Sequence, residues 1–280
     1  MSCQVVDQTA LETACSSGNY EQVASFLLRE QKPTSLQSSL HAAARNGHPD
    51  IVALLLSKGA QFDRETVWAA LASKPIPVFQ ALLDAGWDIE WTLGHSGTAL
   101  TRAVIHDDVA LVDFLLKNRA DPSEGVARSA IVTAVIHSST SVVGCLLAHG
   151  VQIIQSGALE WAAYFGKLEM IGYLLDHGAD INEISNDALN WYAPSRQEDG
   201  QGTALHIAAR EGQKEAVELL LESGADPTLK DTKEKTAFQI ACENGHGEIA
   251  QLLLGAVEWA GGMGNTTDAA DQLEVDTGVH

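Results

Sequence analysis

Pairs of bulky apolar residues recur along this chain at similar intervals: Phe26-Leu27, Leu55-Leu56, Leu82-Leu83, Leu115-Leu116, Leu146-Leu147, Leu174-Leu175, Leu220-Leu221 and Leu253-Leu254. Ahead of each pair stands an alanine at a matching position: Ala14, Ala43, Ala70, Ala103, Ala134, Ala162, Ala208 and Ala241. Three residues before each alanine is another apolar side chain, in order Leu11, Leu40, Val67, Leu100, Ile131, Leu159, Leu205 and Phe238. A self-similar pattern with a period between about 20 and 50 residues is the signature of a stacked repeat. Each unit is too small to bury its apolar face alone, so neighbouring units must share one core.

Two copies identify the unit. The segments Ser38–Ala60 (SSLHAAARNGHPDIVALLLSKGA) and Gly202–Asp226 (GTALHIAAREGQKEAVELLLESGAD) resemble the ankyrin repeat, a helix–turn–helix followed by a finger loop. Six weaker copies align on these two, and the eight starts fall at Thr9, Ser38, Glu65, Thr98, Ser129, Gly157, Thr203 and Thr236. The resemblance implies an all-α solenoid of stacked helix–turn–helix units with short fingers. In it, the invariant alanine marks where the two helices of a repeat cross most closely. The spacings between starts are 29, 27, 33, 31, 28, 46 and 33 residues, against a family period of about 33. Domain organisation follows: a repeat domain over residues 1–260, an insertion loop at 182–201, and a Gly/Thr/Asp-rich tail at 261–280 expected to be disordered. Trp259 is expected to cap the last repeat.

The middle of the array departs most from the family pattern. The inter-helix glycine is kept as Gly18, Gly47, Gly166, Gly212 and Gly245 but replaced by Lys74, Asp107 and Ser138. A left-handed turn at those three would cost about 1 kcal/mol each. The motif histidine survives as His41 and His206, where the resemblance implies bonds to neighbouring backbone. His48 and His246 follow the turn glycine and are expected to be structural or solvent-facing, and His149 and His177, in His-Gly pairs, are assigned no chemistry.

In ankyrin proteins the ends of the first helices and the finger tips line a concave groove. The residues seven and eight after each start would form a ladder across it: Ser16-Ser17, Arg45-Asn46, Ala72-Ser73, Ile105-His106, Ile136-His137, Tyr164-Phe165, Arg210-Glu211 and Glu243-Asn244. Its ends are polar and its centre is not. One helical turn earlier lie Arg102, Thr133 and Trp161, on the same face as His106, His137 and Phe165. The candidate site is therefore Arg102, Ile105, His106, Thr133, Ile136, His137, Trp161, Tyr164 and Phe165, with Trp91 from a finger and Trp191 and Tyr192 from the insertion hanging over it. An apolar cluster of this kind is covered either by a ligand or partner or by the insertion folding back on it.

Charge narrows the partners. Lys and Arg number 17 against 37 Asp and Glu, a net charge of −20, which argues against binding nucleic acid or an anionic membrane surface. No apolar run is long enough to span a bilayer, and the N-terminus lacks a secretory signal. The four cysteines, Cys3, Cys15, Cys145 and Cys242, form no CxxC pair and read as reduced thiols of an intracellular, cytoplasmic or nuclear protein. No phosphate-binding loop, nucleophile elbow or HExxH stands in the chain, and no metal or cofactor is expected.

The leading expectation is thus a monomeric, non-enzymatic scaffold that binds a protein, possible basic segments included, through the mid-array patch. An alternative is a binder of a hydrophobic small molecule, or a cofactor-independent isomerase or cyclase. In that reading residues 182–201 close a pocket, His106 and His137 exchange protons and Arg102 polarises the substrate. A third reading is a regulatory inhibitor or adaptor.

Overall fold

The computed structural model describes residues 8–28, 35–73, 76–123, 129–185 and 201–263, with side chains to residue 258. Trp191, Tyr192, Lys74, the side chain of Trp259 and the tail from residue 264 lie outside the described residues. Sixteen α-helices occur among those residues: α1 Gln8–Ser17, α2 Tyr20–Leu27, α3 Gln37–Arg45, α4 Pro49–Ser57, α5 Arg64–Ser73, α6 Ile76–Asp84, α7 Ala99–Ile105, α8 Val109–Lys117, α9 Ala130–His137, α10 Thr140–Ala148, α11 Ala158–Tyr164, α12 Leu168–Asp176, α13 Ala204–Glu211, α14 Lys214–Glu222, α15 Ala237–Glu243 and α16 Gly247–Met263. Extended pairing among the described residues is confined to one bridge, Lys230 with Thr236 in the last finger. None of these helices is long and apolar enough to cross a membrane. The last helix runs to Met263, past residue 260 where the repeat domain was expected to end.

The chain forms two compact units, Met1–Thr133 with Gly144–His149, and Ala134–Val143 with Gly150–His280. Within the first, odd-numbered helices pack side by side in the order α1, α3, α5, α7, and even-numbered ones in the order α2, α4, α6, α8. Within the second, α11, α13 and α15 form one row and α12, α14 and α16 the other.

The starts read from sequence coincide with helix N-termini. Thr98, Gly157, Thr203 and Thr236 are N-caps. The Thr203 and Thr236 caps are capping boxes, closed by His206 and Gln239, which satisfy backbone donors that a helix end otherwise leaves bare. The eight alanines are each no more than 1% exposed, as close helix crossing requires. Of each apolar pair, the first member is buried, whereas the second is only half-covered in most copies and Leu254 is 46% exposed. Burying one such leucine contributes about 1.5–3 kcal/mol.

Within each of the two units, neighbouring repeats are joined by a ladder of side chains that the apolar pattern does not reveal. In four copies the residue ten positions after the start reaches back to the carbonyl at the end of the preceding first helix. His48 Nε2 meets Ser16 O (3.0 Å), Gln213 Nε2 donates to Tyr164 O (3.1 Å), and His246 Nε2 meets Arg210 O (3.1 Å). Lys167 Nζ fills the same role at the end of α9, donating to Val135 O (2.8 Å) and Ile136 O (2.7 Å), where a cation complements the helix dipole. Burial lowers the pKa of this lysine. His48 and His246 are therefore structural ties.

This ladder explains the turn glycines. Gly18 and Gly212 have φ of +73° and +75°, and a Cβ on either would lie 2.6 and 2.7 Å from the imidazole of His48 and His246. The glycine supplies both the left-handed turn and the passage for the next unit's side chain. Of the replacements, Asp107 keeps the left-handed turn at φ 56°. Ser138 does not adopt the same turn: its N–H continues the helix to Ala134 O (2.8 Å).

Candidate functional site

The expected site residues divide between the two units. In the first, Arg102 and His106 lie one turn apart at the end of α7, and Arg102 Nη2 is 2.8 Å from His106 Nε2. A guanidinium can only donate, so Nε2 is the acceptor in this bond. The guanidinium also stands 5.1 Å from the ring centroid of Trp68, a cation–π arrangement. Trp68 was not among the expected residues. It occupies the motif-histidine position of its repeat, which was its signal. Trp91 packs edge-on against Phe62 (5.9 Å between centroids). Ile105 is half-buried and His106 exposed. Thr133 is buried and its hydroxyl turns back to Ser129 O (3.2 Å).

In the second unit, Ile136 is half-buried and His137 exposed. The three aromatic residues at the end of α11 form one cluster: Trp161 to Tyr164 5.6 Å, Trp161 stacked on Phe165 at 5.9 Å, and Tyr164 edge-on to Phe165 at 4.9 Å. Their roles differ from the expectation of an exposed triad. Trp161 is 1% exposed and belongs to the core, in a helix that packs along α13. Phe165, 36% exposed, presents the apolar surface, and Tyr164 is half-buried beside it.

The motif-histidine position supplies the links to the fingers. His206 Nδ1 accepts from Thr203 N–H (3.2 Å) and its Nε2 therefore donates to Leu229 O (3.0 Å). Burial holds this imidazole neutral, with its pKa below the usual range. His41 departs from the expected backbone bond and meets the Asp63 carboxylate (2.9 Å). In the sixth repeat the position is Glu160, buried at 4% exposure, which accepts from Ser185 N–H at 3.0 Å. Desolvation raises the Glu160 pKa, with a further contribution from the nearby charge of Glu183. A carboxyl whose folded pKa is raised stabilises fully below its unfolded pKa, and that contribution is lost as pH rises through the folded value. Glu160→Gln is accordingly expected to raise the melting temperature at neutral pH, by a margin that shrinks as pH falls through the raised pKa and is gone once the ordinary carboxylate value is reached. A margin independent of pH in thermal melts would contradict the assignment.

Two grooves stand in the described surface. One follows α4 and α6, lined by Leu56, Ala60, Phe62, Ala81 and Asp84, and a smaller one lies beside Thr140, Lys167 and Met170. Most of residues 182–201, the lid of the catalytic alternative, is outside the described residues. In that alternative, Arg102 already occupies the His106 nitrogen that a base would use. Three side chains with metal-ligating atoms also converge in the first unit: Asp113, Cys145 and His149.

Comparison with known proteins agrees with the helix pairs. The family described as "Ankyrin repeats (3 copies)" matches residues 2–66, 100–185 and 184–262. The chain belongs to the ankyrin-repeat family. Among relatives, it is 28% identical to the ankyrin repeat and KH domain-containing protein mask-1 of Caenorhabditis elegans over 88% of this chain and 10% of that protein. It is 28% identical to the ankyrin repeat protein nuc-2 of Neurospora crassa over 78% of this chain and 20% of that protein. A transient receptor potential cation channel subfamily A member 1 homolog from Caenorhabditis elegans is 29% identical over 79% of this chain and 15% of that protein. The chain thus spans no more than a fifth of the length of these relatives. What they share with it is the repeat, a general protein-interaction module.

Proposed function

We propose that the chain is a non-enzymatic protein-binding module whose partner docks on the ends of its first helices and on the fingers, the concave face of the family. The contact centres are Phe165 with Tyr164 in the second unit and the Trp68–Arg102–His106 group in the first. The observation that carries this reading is the state of Phe165. It is a large aromatic left 36% exposed yet held by a stack on buried Trp161, so little conformational entropy is lost when a partner covers it. Aromatic side chains, phenylalanine included, are enriched at protein interfaces relative to the rest of the surface. The net charge of −20 favours a basic partner and speeds its encounter. Cys15, Cys145 and Cys242 are free thiols, in keeping with the cytoplasm or nucleus. The work of the module is then to act as scaffold or adaptor.

The test is a comparison of wild type with a His106→Ala, His137→Ala, Phe165→Ala variant. All three side chains are exposed, so the melting temperature is expected to stay within about 2 °C. Affinity for a captured partner is expected to fall at least about ten-fold, the equivalent of about 1.4 kcal/mol. A partner bound equally well by both proteins would place the interface elsewhere, and an association rate indifferent to salt would remove the basic-partner element.

A further inference from the structure

Within the first unit, α8 and the last turn of α10 bring together groups that sequence spacing keeps apart. Asp113 stands on α8. Cys145 and His149 are four residues apart at the end of α10, an i, i+4 pair that shares a face. His149 Nε2 lies 3.0 Å from Asp113 Oδ1, and one donor atom from each of the three residues falls within 4.8 Å of the others. Asp113 Oδ2 is held by Lys117 Nζ at 2.7 Å. The carboxylate is thereby oriented with its other oxygen toward the histidine, which is how an outer partner fixes a metal ligand.

We propose that Asp113, Cys145 and His149 form a binding site for a zinc-like divalent transition-metal ion. Sulfur, imidazole nitrogen and a carboxylate oxygen in this number and proximity suit the tetrahedral, borderline-soft preference of zinc, with solvent completing the coordination. Calcium and magnesium, which favour oxygen cages, do not fit a set with one carboxylate. Binding through the Cys145 sulfur releases the thiol proton, as metal–thiolate formation requires.

The structure contains its own comparison. His177 is the equivalent histidine of the next repeat, also in a His-Gly pair. It stacks on Tyr173 at 4.1 Å and its Nδ1 donates to Tyr173 O (2.8 Å). Tyr173 takes the place that Cys145 holds one repeat earlier. The pattern of histidines is the same, but its neighbours make a ligand set only at His149.

The intact chain, reduced and stripped of metal under argon, is to be titrated with Co²⁺ and then with Zn²⁺. A single saturable thiolate-to-cobalt charge-transfer absorption is expected, bleached when zinc displaces cobalt. Cys145→Ser is expected to abolish that absorption. His149→Ala and Asp113→Asn are each expected to weaken binding at least about ten-fold, an effect that loss even of outer-shell partners can reach. His177→Ala is expected to leave it unchanged. Absence of a saturable absorption in the wild type, or its persistence in Cys145→Ser through another cysteine, would overturn the site. Should Cys145→Ser disturb folding by circular dichroism, His149→Ala decides alone. His149 is an exposed residue just past the end of α10, so its replacement is expected to leave the fold intact, and unchanged affinity in that variant would equally overturn the proposal.

Discussion

Trp161→Ala is expected to destabilise the second unit by about 3–5 kcal/mol, the range for removing a buried large aromatic side chain. The indole is 1% exposed and supports both Tyr164 and Phe165. Its removal leaves a cavity beside closely packed first helices, which cannot collapse inward without disturbing the crossings at Ala162 and Ala208. The measurement is chemical denaturation of the wild type and the variant, read by circular dichroism. Phe165→Ala, at the exposed edge of the same cluster, is expected to cost much less. Equal losses from the two substitutions would mean that the ring stack, and not burial of the indole, sets the stability. The contrast matters for function, because a loss of binding in Trp161→Ala reports unfolding, whereas a loss in Phe165→Ala reports the surface.

Gly212→Ala is expected to cost about 2 kcal/mol, from two sources. The left-handed φ of +75° is unfavourable for alanine by about 1 kcal/mol. The added Cβ also displaces His246 and breaks its bond to Arg210 O, worth about another 1 kcal/mol. Gly245→Ala is the control. Its φ is +79°, but a Cβ there meets nothing within 4 Å, so only the backbone cost of about 1 kcal/mol is expected. Thermal or denaturant melts of the two variants separate the terms. If both lose the same amount, the histidine ladder contributes nothing to cohesion.

The repeat register was legible because it rests on volume. Ala14 through Ala241 are buried at every copy, and no other side chain fits a close helix crossing. The polar ladder was not legible, because histidine, glutamine and lysine all serve it. A position filled by His48, Lys167, Gln213 and His246 shows no common chemistry until the carbonyl it serves is seen. The aromatic cluster was half legible. Helical spacing put Trp161 on the face of Phe165, but spacing cannot tell how far a neighbouring helix covers each turn, and α13 packs along α11. Asp113, Cys145 and His149 were missed for the opposite reason: their convergence crosses between repeats and follows no motif.

The bond from Gln213 to Tyr164 O spans 49 positions of chain, across the stretch where the repeat period is longest. Doubling the length of a flexible connection costs only about 0.6 kcal/mol in closure entropy, less than one such bond together with the burial of α13 on α11 contributes. The junction between the sixth and seventh repeats is therefore a place where the chain can gain sequence at little thermodynamic penalty. New segments arising there would be inherited without loss of the stack, which makes this the point at which a lineage of such proteins can acquire a new loop while its scaffold stays unchanged.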